Sequence, residues 1–577
     1  MTLRISDYHQ AYSNGASPSA LIAAIRARLD RLGDQGIFLH FVDNSLLIKM
    51  VEDIGPFDPA SKPLWGVPFA VKDNIDVFGM PTTAGCEAYA YKPGKDSTVV
   101  AQLKAAGAIP IGKTNLDQFA TGLVGLRTPY TAPLNSIDPK LVPGGSSSGS
   151  AVAVAHGLVP FALGTDTAGS GRVPAGLNGI IGLKPSLGAI STQGLVPACR
   201  SLDCVSIFAG NIIDAQRVFR AASCFDKSDP FSNPLVQQEP WACIKGLKVG
   251  VPRREDLTFD SCSAAETAFD EAVTALTSVG MNVEEVPFGD FYAIAQLLYE
   301  GPWVSERYAA ISAFIEKQPN SMHPITRSII EKGRNFSAVD AFTAFYELAE
   351  LRRKVEPFLE SVDLLCVPTI PRNPSVKEVL DDPVGINSML GTYTNFVNLL
   401  GMCGLTIPCG KRADGEPSSI TFLASAGHDI RLSYVAEQVS GLLGRGDKEE
   451  AVMLAVVGAH LSGMDLNYQL HDLGAIFVST AKTAPVYKLY NVPNSNPPKP
   501  GMIRVQEGGA AIEVEIWKLT NSAFGKFVAN IPSPLGIGNV WLKDGSIIKC
   551  FLAEPAGLDG AEDITGFGGW RNYITTL

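Results

Sequence analysis

Apolar side chains recur at helical spacing near the start of the chain. In SPSALIAAIRARLDRLG, residues 17–33, leucine and isoleucine return every three or four positions, so these side chains line one face of a helix. A serine and a proline stand where such a helix begins, and a glycine follows its last apolar residue. The pattern predicts a helix over residues 17–33.

From residue 64 the apolar positions form short runs that are separated by turns. LWGVPFAVKDNIDV, residues 64–77, and AIPIGKTN, residues 108–115, are strand-like. Between them STVVAQLKAAG, residues 97–107, has helical spacing. A strand, a helix and a strand in succession are typical of an α/β domain.

A second series of this kind begins at residue 263. A capping box and an apolar stripe predict a helix over residues 263–280, and MNVEEVPF at 281–288 is strand-like. Residues 290–362 are mainly helical in pattern, LLCVPTIP at 364–371 is typical of a buried strand, and a last helix is expected between residues 428 and 443. The α/β core therefore resumes after a helical excursion.

The pattern changes after GRGDKEE, residues 444–450, which we interpret as a linker because it is short, polar and punctuated by glycine. AAIEVEIWKL, residues 510–519, alternates between two faces, as a strand does. NVWLKDGSIIKCFL places Asp544 and Gly545 between two strand-like runs, which predicts a two-residue hairpin. We therefore predict a large domain at residues 1–445 and a smaller, β-rich domain at residues 446–577.

Composition and charge exclude several classes of function. Hydrophobic residues make up 46% of the chain and charged residues 18%, a balance typical of large buried cores. The net charge is -11 and no run of five basic residues occurs, so nucleic acid is not an expected partner. The longest apolar stretch, residues 151–165, is too short to span a bilayer. Ten scattered cysteines without a CxxC pair, and an N-terminus without an apolar signal core, predict a cytoplasmic location.

GAIPIGKT, residues 107–114, matches the phosphate-binding P-loop pattern letter for letter. A P-loop needs consecutive free N–H groups in a flexible turn, whereas the intervening residues here are strand formers and include a proline without an N–H. The residue types therefore argue against nucleotide binding.

Gly145-x-Ser147-x-Gly149 matches the nucleophile elbow of α/β-hydrolases, which would make Ser147 the nucleophile. Such a site needs a histidine, and His428 or His460 would have to supply it. An elbow follows a strand directly, whereas residues 134–144 are loop-like and contain two prolines. A glycine–serine loop that leads into a helix of small residues explains the match equally well.

The longer segment GGSSSGSAVAVAHGLVPFALGTDTAGSGRVPAGLNGIIGLKPS, residues 144–186, closely resembles the signature of the amidase signature family. The likeness continues through WGVPFAVKDNIDV and IPIGKTNLDQFATG upstream and covers most of residues 15–440. It implies an α/β fold with a mixed central sheet covered by helices, and amide hydrolysis by a Ser-cisSer-Lys triad. Matched to the signature, Ser170 is the nucleophile, Ser146 the bridging serine and Lys72 the base.

The residues alone leave the choice of base open. Lys72 follows an apolar run at residues 69–71, and a lysine desolvated at the end of a strand loses proton affinity and becomes a usable base. Lys184 ends a similar run and would serve equally well. Only the resemblance selects Lys72, which would take a proton from the nucleophile through the hydroxyl of Ser146.

Small residues precede the expected nucleophile in TDTAGS. They allow the N–H groups of Thr167, Ala168, Gly169 and Ser170 to converge on a developing oxyanion. One departure from the signature is Ser148, where the family usually has glycine, and it bears on the backbone conformation beside the bridging serine.

The C-terminal part carries a second resemblance. LAVVGAHLSGMDLN at 454–467, together with residues 501–519, 527–545 and 564–573, resembles the C-terminal domain of the allophanate hydrolases. That domain is similar to the γ-glutamyl cyclotransferase-like fold, and the likeness makes His460 a candidate functional residue there. A structural loop histidine is an equally good explanation, since histidine serves both roles.

Allophanate is urea that carries a carboxylate, so a pocket for it is expected to hold a guanidinium. LLYEGPWVSERYAA, residues 297–310, resembles the substrate-binding segment of the allophanate hydrolases, which makes Arg307 and Tyr299 candidate substrate-binding residues. Taken alone, Arg307 equally fits a helix-surface ion pair with Glu306 or Glu300, and Tyr299 a core aromatic.

The combined resemblance implies hydrolysis of allophanate to ammonia and N-carboxycarbamate, followed by decarboxylation to further ammonia and carbon dioxide. It also implies backbone contacts to the substrate near Ala120 and Gly122, no metal or organic cofactor, a homodimer formed through the helical excursion, and functional association with a urea carboxylase. Two alternatives stay open: an amidase for another small amide, and a non-catalytic scaffold of the amidotransferase type.

Overall fold

A computed structural model describes residues 4–33, 35–443, 451–473, 475–493, 495 and 497–576. Contacts divide the chain into two compact units. One is Leu32–Gly446, and the other combines Met1–Arg31 with Asp447–Leu577. The linker expected at residues 444–450 lies outside the described residues.

The N-terminal segment forms helix α1 (Ile5–Ser13) and helix α2 (Pro18–Leu32), so the helix expected from the apolar stripe is present. The segment packs with the C-terminal unit, although the pattern grouped it with the large domain. The Nε of Arg31 donates to Asp472 Oδ1 at 2.8 Å, and the side-chain amide of Asn14 donates to the carbonyl of Val478. These partners are 441 and 464 positions apart, and contacts at such separation leave no local sequence pattern.

One mixed sheet of eleven strands forms the centre of the large unit. Its strands are β1 (Phe38–Phe41), β2 (Pro68–Lys72), β3 (Ile109–Thr114), β4 (Phe161–Asp166), β5 (Ile181–Lys184), β6 (Cys204–Ala209), β7 (Lys248–Pro252), β8 (Asn282–Val286), β9 (Leu364–Pro368), β10 (Cys403–Lys411) and β11 (Pro417–Ala424). Their order in the sheet is β1-β3-β2-β4-β6-β5-β10-β11-β9-β7-β8. The mixed central sheet that the resemblance implied is therefore confirmed.

The helices of the large unit include a run of four between residues 289 and 361, which is the expected helical excursion. They are α3 (Asn44–Asp53), α4 (Thr98–Ala105), α5 (Ser148–Ala155), α6 (Val173–Leu177), α7 (Ile212–Ala222), α8 (Ser263–Ser278), α9 (Gly289–Glu300), α10 (Trp303–Lys317), α11 (Pro324–Glu331), α12 (Ala338–Ser361), α13 (Val376–Asp381), α14 (Gly385–Leu390), α15 (Asn395–Leu399) and α16 (Asp429–Leu443). Among the helices described, none has the length and apolarity needed to cross a membrane.

Two neighbouring parallel strands bring distant parts of the chain together at their carboxyl ends. β2 is parallel to β4, with Phe69 opposite Phe161 and Val71 opposite Leu163, so both strands end on the same side. Every side chain of the two strands is buried. Lys72, the last residue of β2, therefore lies beside the carboxyl end of β4, away from solvent.

The segment that matches the P-loop pattern is a strand. Its residues 109–114 are β3, which is fully buried and pairs with β2 on one side and β1 on the other. A strand in the interior of a sheet offers no flexible cradle of free N–H groups. The match is therefore one of letters only.

The C-terminal unit is smaller and rich in strands, as expected. It contains β12 (Ala451–Val456), β13 (Ile476–Lys482), β14 (Tyr487–Asn491), β15 (Pro500–Arg504), β16 (Glu513–Thr520), β17 (Leu535–Trp541), β18 (Ile547–Ala553) and β19 (Glu562–Asp563), with helices α17 (Asn467–Asp472), α18 (Asn521–Ala529) and α19 (Trp570–Ile574). These strands form sheets of order β13-β16-β12-β18-β17 and β15-β14-β19. Its likeness to the γ-glutamyl cyclotransferase-like fold stays a prediction.

The turn between β17 and β18 differs from the expected two-residue hairpin. The N–H of Leu542 donates to the carbonyl of Ser546 at 2.9 Å, so three residues lie between the last bonded pair. Gly545 has φ 87°, a conformation that glycine adopts without strain. The Asp-Gly signal therefore located the turn correctly and its length wrongly, because three-residue loops also need a left-handed position.

Candidate active site

Lys72 is a buried lysine whose ammonium group contacts two hydroxyls. Its Nζ donates to Ser146 Oγ at 2.7 Å and to Thr165 Oγ1 at 2.8 Å, and the residue is 0% exposed. The alternative of a solvated lysine at a strand end is therefore excluded. Lys72 and Ser146, 74 positions apart, are brought together as the resemblance implied.

Burial lowers the pKa of Lys72 to about 7, because desolvation penalises the charged form. The carboxylates of Asp117, Asp203 and Asp166 oppose this effect, and the positive charge of Arg307 adds to it. A substantial fraction of Lys72 is therefore neutral at neutral pH and able to accept a proton.

Lys184, the other lysine that fitted the sequence pattern, is equally buried but has different partners. Its Nζ donates to the backbone carbonyls of Pro185 at 2.9 Å and Met402 at 2.7 Å. No serine accepts from Lys184 among the described residues. The geometry therefore separates two lysines that their sequence context could not.

The two serines of the expected triad occupy different segments. Ser146 follows a cis peptide bond after Gly145, and its carbonyl accepts from the N–H of Asp117 at 3.0 Å. Ser170 lies in the turn between β4 and α6 and is 3% exposed. Within the described chain its hydroxyl makes no hydrogen bond, so the link from Ser146 to Ser170 stays a prediction.

Ser147, the serine of the nucleophile-elbow match, has a structural environment. Its hydroxyl donates to the carbonyl of Thr165 at 3.1 Å and accepts from the N–H of the same residue at 3.3 Å. Both contacts tie the start of α5 to β4. No histidine contacts Ser147 among the described residues, which argues against the elbow mechanism.

A buried ion pair, which the sequence analysis did not find, shapes the turn that carries Ser170. Asp166 accepts from Nε and Nη2 of Arg172, both at 2.9 Å, and from the N–H groups of Gly169 at 2.8 Å and Gly171 at 2.9 Å. Burial alone raises the pKa of Asp166, but the charge and hydrogen bonds of Arg172 together lower it. The carboxylate is therefore held ionised, and it fixes the backbone on both sides of Ser170.

This arrangement changes the expected set of oxyanion donors. The N–H of Gly169 donates to Asp166, so, unlike in the prediction, it is not free to donate to an oxyanion. The N–H groups of Thr167, Ala168 and Ser170 make no hydrogen bond within the described residues, and these three stay candidates for an oxyanion hole.

Arg307 lies on α10 and is buried, with 2% of its surface exposed. Its Cζ is 5.1 Å from the centre of the Tyr299 ring, a cation–π distance, although Gly301 and Pro302 interrupt the helices between them. Nη1 is 3.5 Å from Thr121 Oγ1, while Nε and Nη2 are buried and have no partner within the described chain. The expected pair of Tyr299 and Arg307 is therefore brought together.

The ion pair considered as an alternative for Arg307 is not formed. The carboxylate of Glu306 accepts instead from the backbone N–H and the hydroxyl of Ser201, at 2.6 and 2.7 Å. Glu300, the other candidate, is exposed. A buried guanidinium with two unused donor groups is costly unless a ligand fills them, so Arg307 remains a candidate for binding an anion.

Residues 119–122 form the turn that contains the predicted backbone contacts at Ala120 and Gly122. Ala120 has φ 52°, the left-handed region, in which strain of this kind clusters at functional sites. A Cβ at Gly122 would lie 2.6 Å from Asp117 Oδ2, so the position requires glycine. Arg127, which sequence reasoning missed, supports the turn by donating from Nη1 to the carbonyl of Thr121 at 3.0 Å.

His460 lies in the C-terminal unit, in the loop after β12. Its Nε2 is 3.0 Å from Gln469 Oε1, and its ring stacks on Phe551 with centroids 5.2 Å apart. Burial lowers the pKa of His460, so the ring is held neutral. A cavity of about 570 Å³ in the same unit is lined instead by His471, Glu515 and neighbouring residues.

Comparisons with known proteins agree over almost the whole chain. The amidase family model matches residues 40–432, and that of the allophanate hydrolase C-terminal domain matches residues 452–575. Urea amidolyase of Saccharomyces cerevisiae is 45% identical over 547 residues, which are 89% of this chain and 30% of that protein. The chain thus spans less than a third of the length of the curated relatives that it matches first.

Two further similarities cover the large unit or the entire chain. The structure of Kluyveromyces lactis allophanate hydrolase has a TM-score of 0.73 and 38% identity, and the match covers 100% of this chain and 99% of that one. A glutamyl-tRNA(Gln) amidotransferase subunit of Staphylococcus aureus is 33% identical over 433 residues, which are 69% of this chain and 88% of that protein.

The environment of Lys72 predicts pH-dependent reactivity of Ser170. A lysine acts as a base only when neutral, so with a pKa of about 7 the rate at which phenylmethanesulfonyl fluoride labels Ser170 should rise through about pH 7 and then level off. Lys72→Met removes the base and should slow labelling at pH 8 by roughly 10²- to 10⁴-fold. Peptide mass spectrometry identifies the labelled serine.

Lys184→Met is the matched control, since it removes an equally buried lysine that contacts no serine. As long as circular dichroism shows a folded protein, its profile should keep the wild-type inflection. Labelling of Ser147 in place of Ser170, or a rate that falls as the pH rises through 7, would contradict the assignment.

Proposed function

This chain belongs to the amidase family, and we propose that it hydrolyses allophanate to ammonia and N-carboxycarbamate. In the large unit Lys72, whose pKa is lowered to about 7, contacts the hydroxyl of Ser146, which suits amide cleavage. The C-terminal unit matches the model of the allophanate hydrolase C-terminal domain. The structural match to Kluyveromyces lactis allophanate hydrolase extends over 100% of this chain and 99% of that one.

The buried guanidinium of Arg307 is the observation that carries this proposal. Allophanate presents an amide to be cleaved and a carboxylate to be recognised, and guanidinium binds carboxylate with paired hydrogen bonds. Nε and Nη2 of Arg307 are unused within the described chain, and this charge acts on Lys72 electrostatically. We assign the carboxylate of the substrate to Arg307, and Tyr299 to the wall beside it.

The first step is acylation of Ser170. As its oxygen attacks the carbonyl carbon of the terminal amide, its proton passes to Ser146, whose own proton passes to neutral Lys72. The N–H groups of Thr167 and Ala168, with that of Ser170, stabilise the oxyanion. The carbon–nitrogen bond then breaks, and the leaving nitrogen takes the proton back from the relay and departs as ammonia.

Water completes the first reaction. It attacks the acyl carbon and gives its proton through Ser146 to Lys72, which is neutral again once ammonia has left. The ester bond then breaks, and the oxygen of Ser170 takes that proton back from the relay. The released product is N-carboxycarbamate, and loss of carbon dioxide from it leaves carbamate, which yields the second ammonia. Within the C-terminal unit we assign promotion of this loss to His460, whose ring is buried and neutral.

We also propose that two copies of the chain associate through the helical excursion. Val339, Phe342 and Tyr346 of α12 are 73%, 60% and 66% exposed, and their spacing places them on one face of the helix. A stripe of large exposed apolar side chains marks an interaction surface. A second copy is the occupant that fits the dimer implied by the resemblance.

Two further assignments complete the proposal. We place the chain in the cytoplasm, since none of its ten cysteines forms a disulfide, as is usual in reducing compartments. We propose functional association with a urea carboxylase, because the region similar to this chain makes up only 30% of the relatives named urea amidolyase and urea must be carboxylated to become allophanate.

Removal of the Arg307 charge should act selectively on the anionic substrate. Arg307→Ala should lower kcat/KM for allophanate by roughly 10- to 150-fold, since a hydrogen bond to a charged group contributes about 1.5–3 kcal/mol. Turnover of uncharged biuret should change little. Ammonia released per substrate consumed measures both, and the wild type should give two ammonia per allophanate.

Ser170→Ala is the control and should abolish ammonia release from allophanate. If Arg307→Ala keeps the wild-type kcat/KM for allophanate, Arg307 does not bind the substrate carboxylate; a wild type that prefers an uncharged amide to allophanate would make that amide the substrate. A wild type that releases no ammonia from any small amide, although Ser170 is labelled, would point to a scaffold role.

The second ammonia tests the role of His460. His460→Ala should leave release of the first ammonia unchanged and slow formation of carbon dioxide by roughly 100-fold, the effect of losing a general acid or base. Stopped-flow detection of ammonia and carbon dioxide separates the two steps. His471→Ala is the matched comparison: a lag in that variant alone would transfer the role to the cavity that His471 lines.

Association through α12 predicts that a charge on its exposed apolar face separates the copies. Phe342→Glu should convert the dimer to a monomer with unchanged circular dichroism, because it buries a charge at an apolar contact. Light scattering during gel filtration measures the mass. Glu347→Lys, exposed on another face of the same helix, should remain dimeric; equal masses for Phe342→Glu and wild type would exclude this surface.

A further inference from the structure

The carboxylate of Glu306 accepts three hydrogen bonds from a single loop, residues 198–203. Oε1 accepts from the N–H of Ser201 at 2.6 Å, and Oε2 accepts from the hydroxyl of Ser201 at 2.7 Å and from the thiol of Cys199 at 2.9 Å. Three donors on one carboxylate specify its position more tightly than a single surface contact does. Helix α10 is therefore attached to this loop immediately beside Arg307.

The same loop is attached to the turn that carries the nucleophile. Asp203 Oδ2 accepts from the N–H of Ala198 at 2.8 Å, and both of its carboxylate oxygens are 3.2 Å from the N–H of Cys199. Its Oδ1 also accepts from the hydroxyl of Thr167. Thr167 is one of the candidate oxyanion donors, so the loop ends on the turn where negative charge develops.

The two attachments form a continuous bridge through described residues. It runs from Thr167 to Asp203, through the backbone of residues 198–201, and from there to Glu306 on α10. Successive side chains of a helix point about 100° apart, so fixing Glu306 against the loop also fixes the direction in which Arg307 points. The part of the bridge next to Thr167 is shielded from water, since Cys199 is 0% and Asp203 7% exposed, whereas Ser201 at the Glu306 end is exposed.

We infer that Glu306 is a positioning residue that holds Arg307 and the oxyanion turn in register, so that substrate bound by its carboxylate presents its amide at the correct place. This inference rests on the proposed hydrolysis of allophanate and deepens it. Glu306 touches neither the substrate nor the reacting atoms, and it acts through Arg307 at one end and through Thr167 at the other. A substrate without a carboxylate gains nothing from the Arg307 end of the bridge.

Steady-state kinetics of Glu306→Gln test the inference. The amide can no longer accept from three donors, so kcat/KM for allophanate should fall by roughly 10- to 100-fold, as expected for hydrogen bonds to a charged group. The loss should appear in KM through Arg307 and in kcat through Thr167, whereas turnover of uncharged biuret should lose only the kcat part. Glu300, the last residue of α9, carries an exposed carboxylate. Glu300→Gln should therefore keep the wild-type kcat and KM for allophanate.

A double-mutant cycle distinguishes positioning from a general structural effect. In an Arg307→Ala background, Glu306→Gln should no longer raise KM for allophanate, because the group through which it acts on binding is gone. An equal rise in KM in both backgrounds, or kcat and KM within twofold of wild type in the single variant, would overturn the inference. Ser201→Ala removes one of the three donors and should shift KM in the same direction by a smaller factor, which provides the test if Glu306→Gln does not fold.

The wild-type measurement separates this inference from the proposed function. If the wild type releases no ammonia from allophanate, the proposed function fails and the inference fails with it. If the wild type hydrolyses allophanate and Glu306→Gln behaves like Glu300→Gln, only the inference fails.

Discussion

The proposed chemistry of this protein depends on a lysine that is buried among hydroxyls and not paired with a carboxylate. Desolvation lowers the pKa of Lys72, and a direct ion pair would reverse that effect. Three carboxylates lie close enough to act on it, but each is committed to other donors. Asp166 binds Arg172, Asp203 binds loop N–H groups, and Asp117 accepts from two backbone N–H groups. The surrounding network thus keeps negative charge near Lys72 without giving it a partner.

The proposed recognition of an anion also depends on a buried cationic side chain that has no carboxylate partner. Arg307 is buried next to Glu306 in sequence, yet that carboxylate binds Ser201 and Cys199 and leaves the guanidinium unneutralised. Burial of an unpaired cation is costly, and the cost is recovered when a carboxylate enters. In the proposed mechanism the two cationic side chains serve different purposes: Lys72 loses its charge and acts as a base, whereas the charge of Arg307 binds the carboxylate of the substrate.

The local pattern of apolar and polar residues predicted helices and strands but did not show which of them contact one another. The stripe in residues 17–33 predicted α2, but the packing of that helix with the C-terminal unit depends on contacts such as Arg31 with Asp472, which no local spacing encodes. Lys72 and Lys184 both end apolar strands, and only the register of neighbouring strands shows which one faces a serine. The resemblance to a family supplied that choice, since it carries information on tertiary contacts that composition and periodicity lack.

The proximity of the two cations gives the binding of substrate a direct effect on the base. The charge of Arg307 lowers the pKa of Lys72. A carboxylate that binds Arg307 offsets this charge, so the proton affinity of the lysine rises when the substrate is in place. Desolvation, the largest influence on Lys72, comes from the protein groups that bury it and keeps the pKa of the lysine below its ordinary value. In the proposed mechanism an uncharged amide in the same pocket would leave the charge of Arg307 without a counter-ion, and the lowering effect of that charge on the pKa of Lys72 would persist.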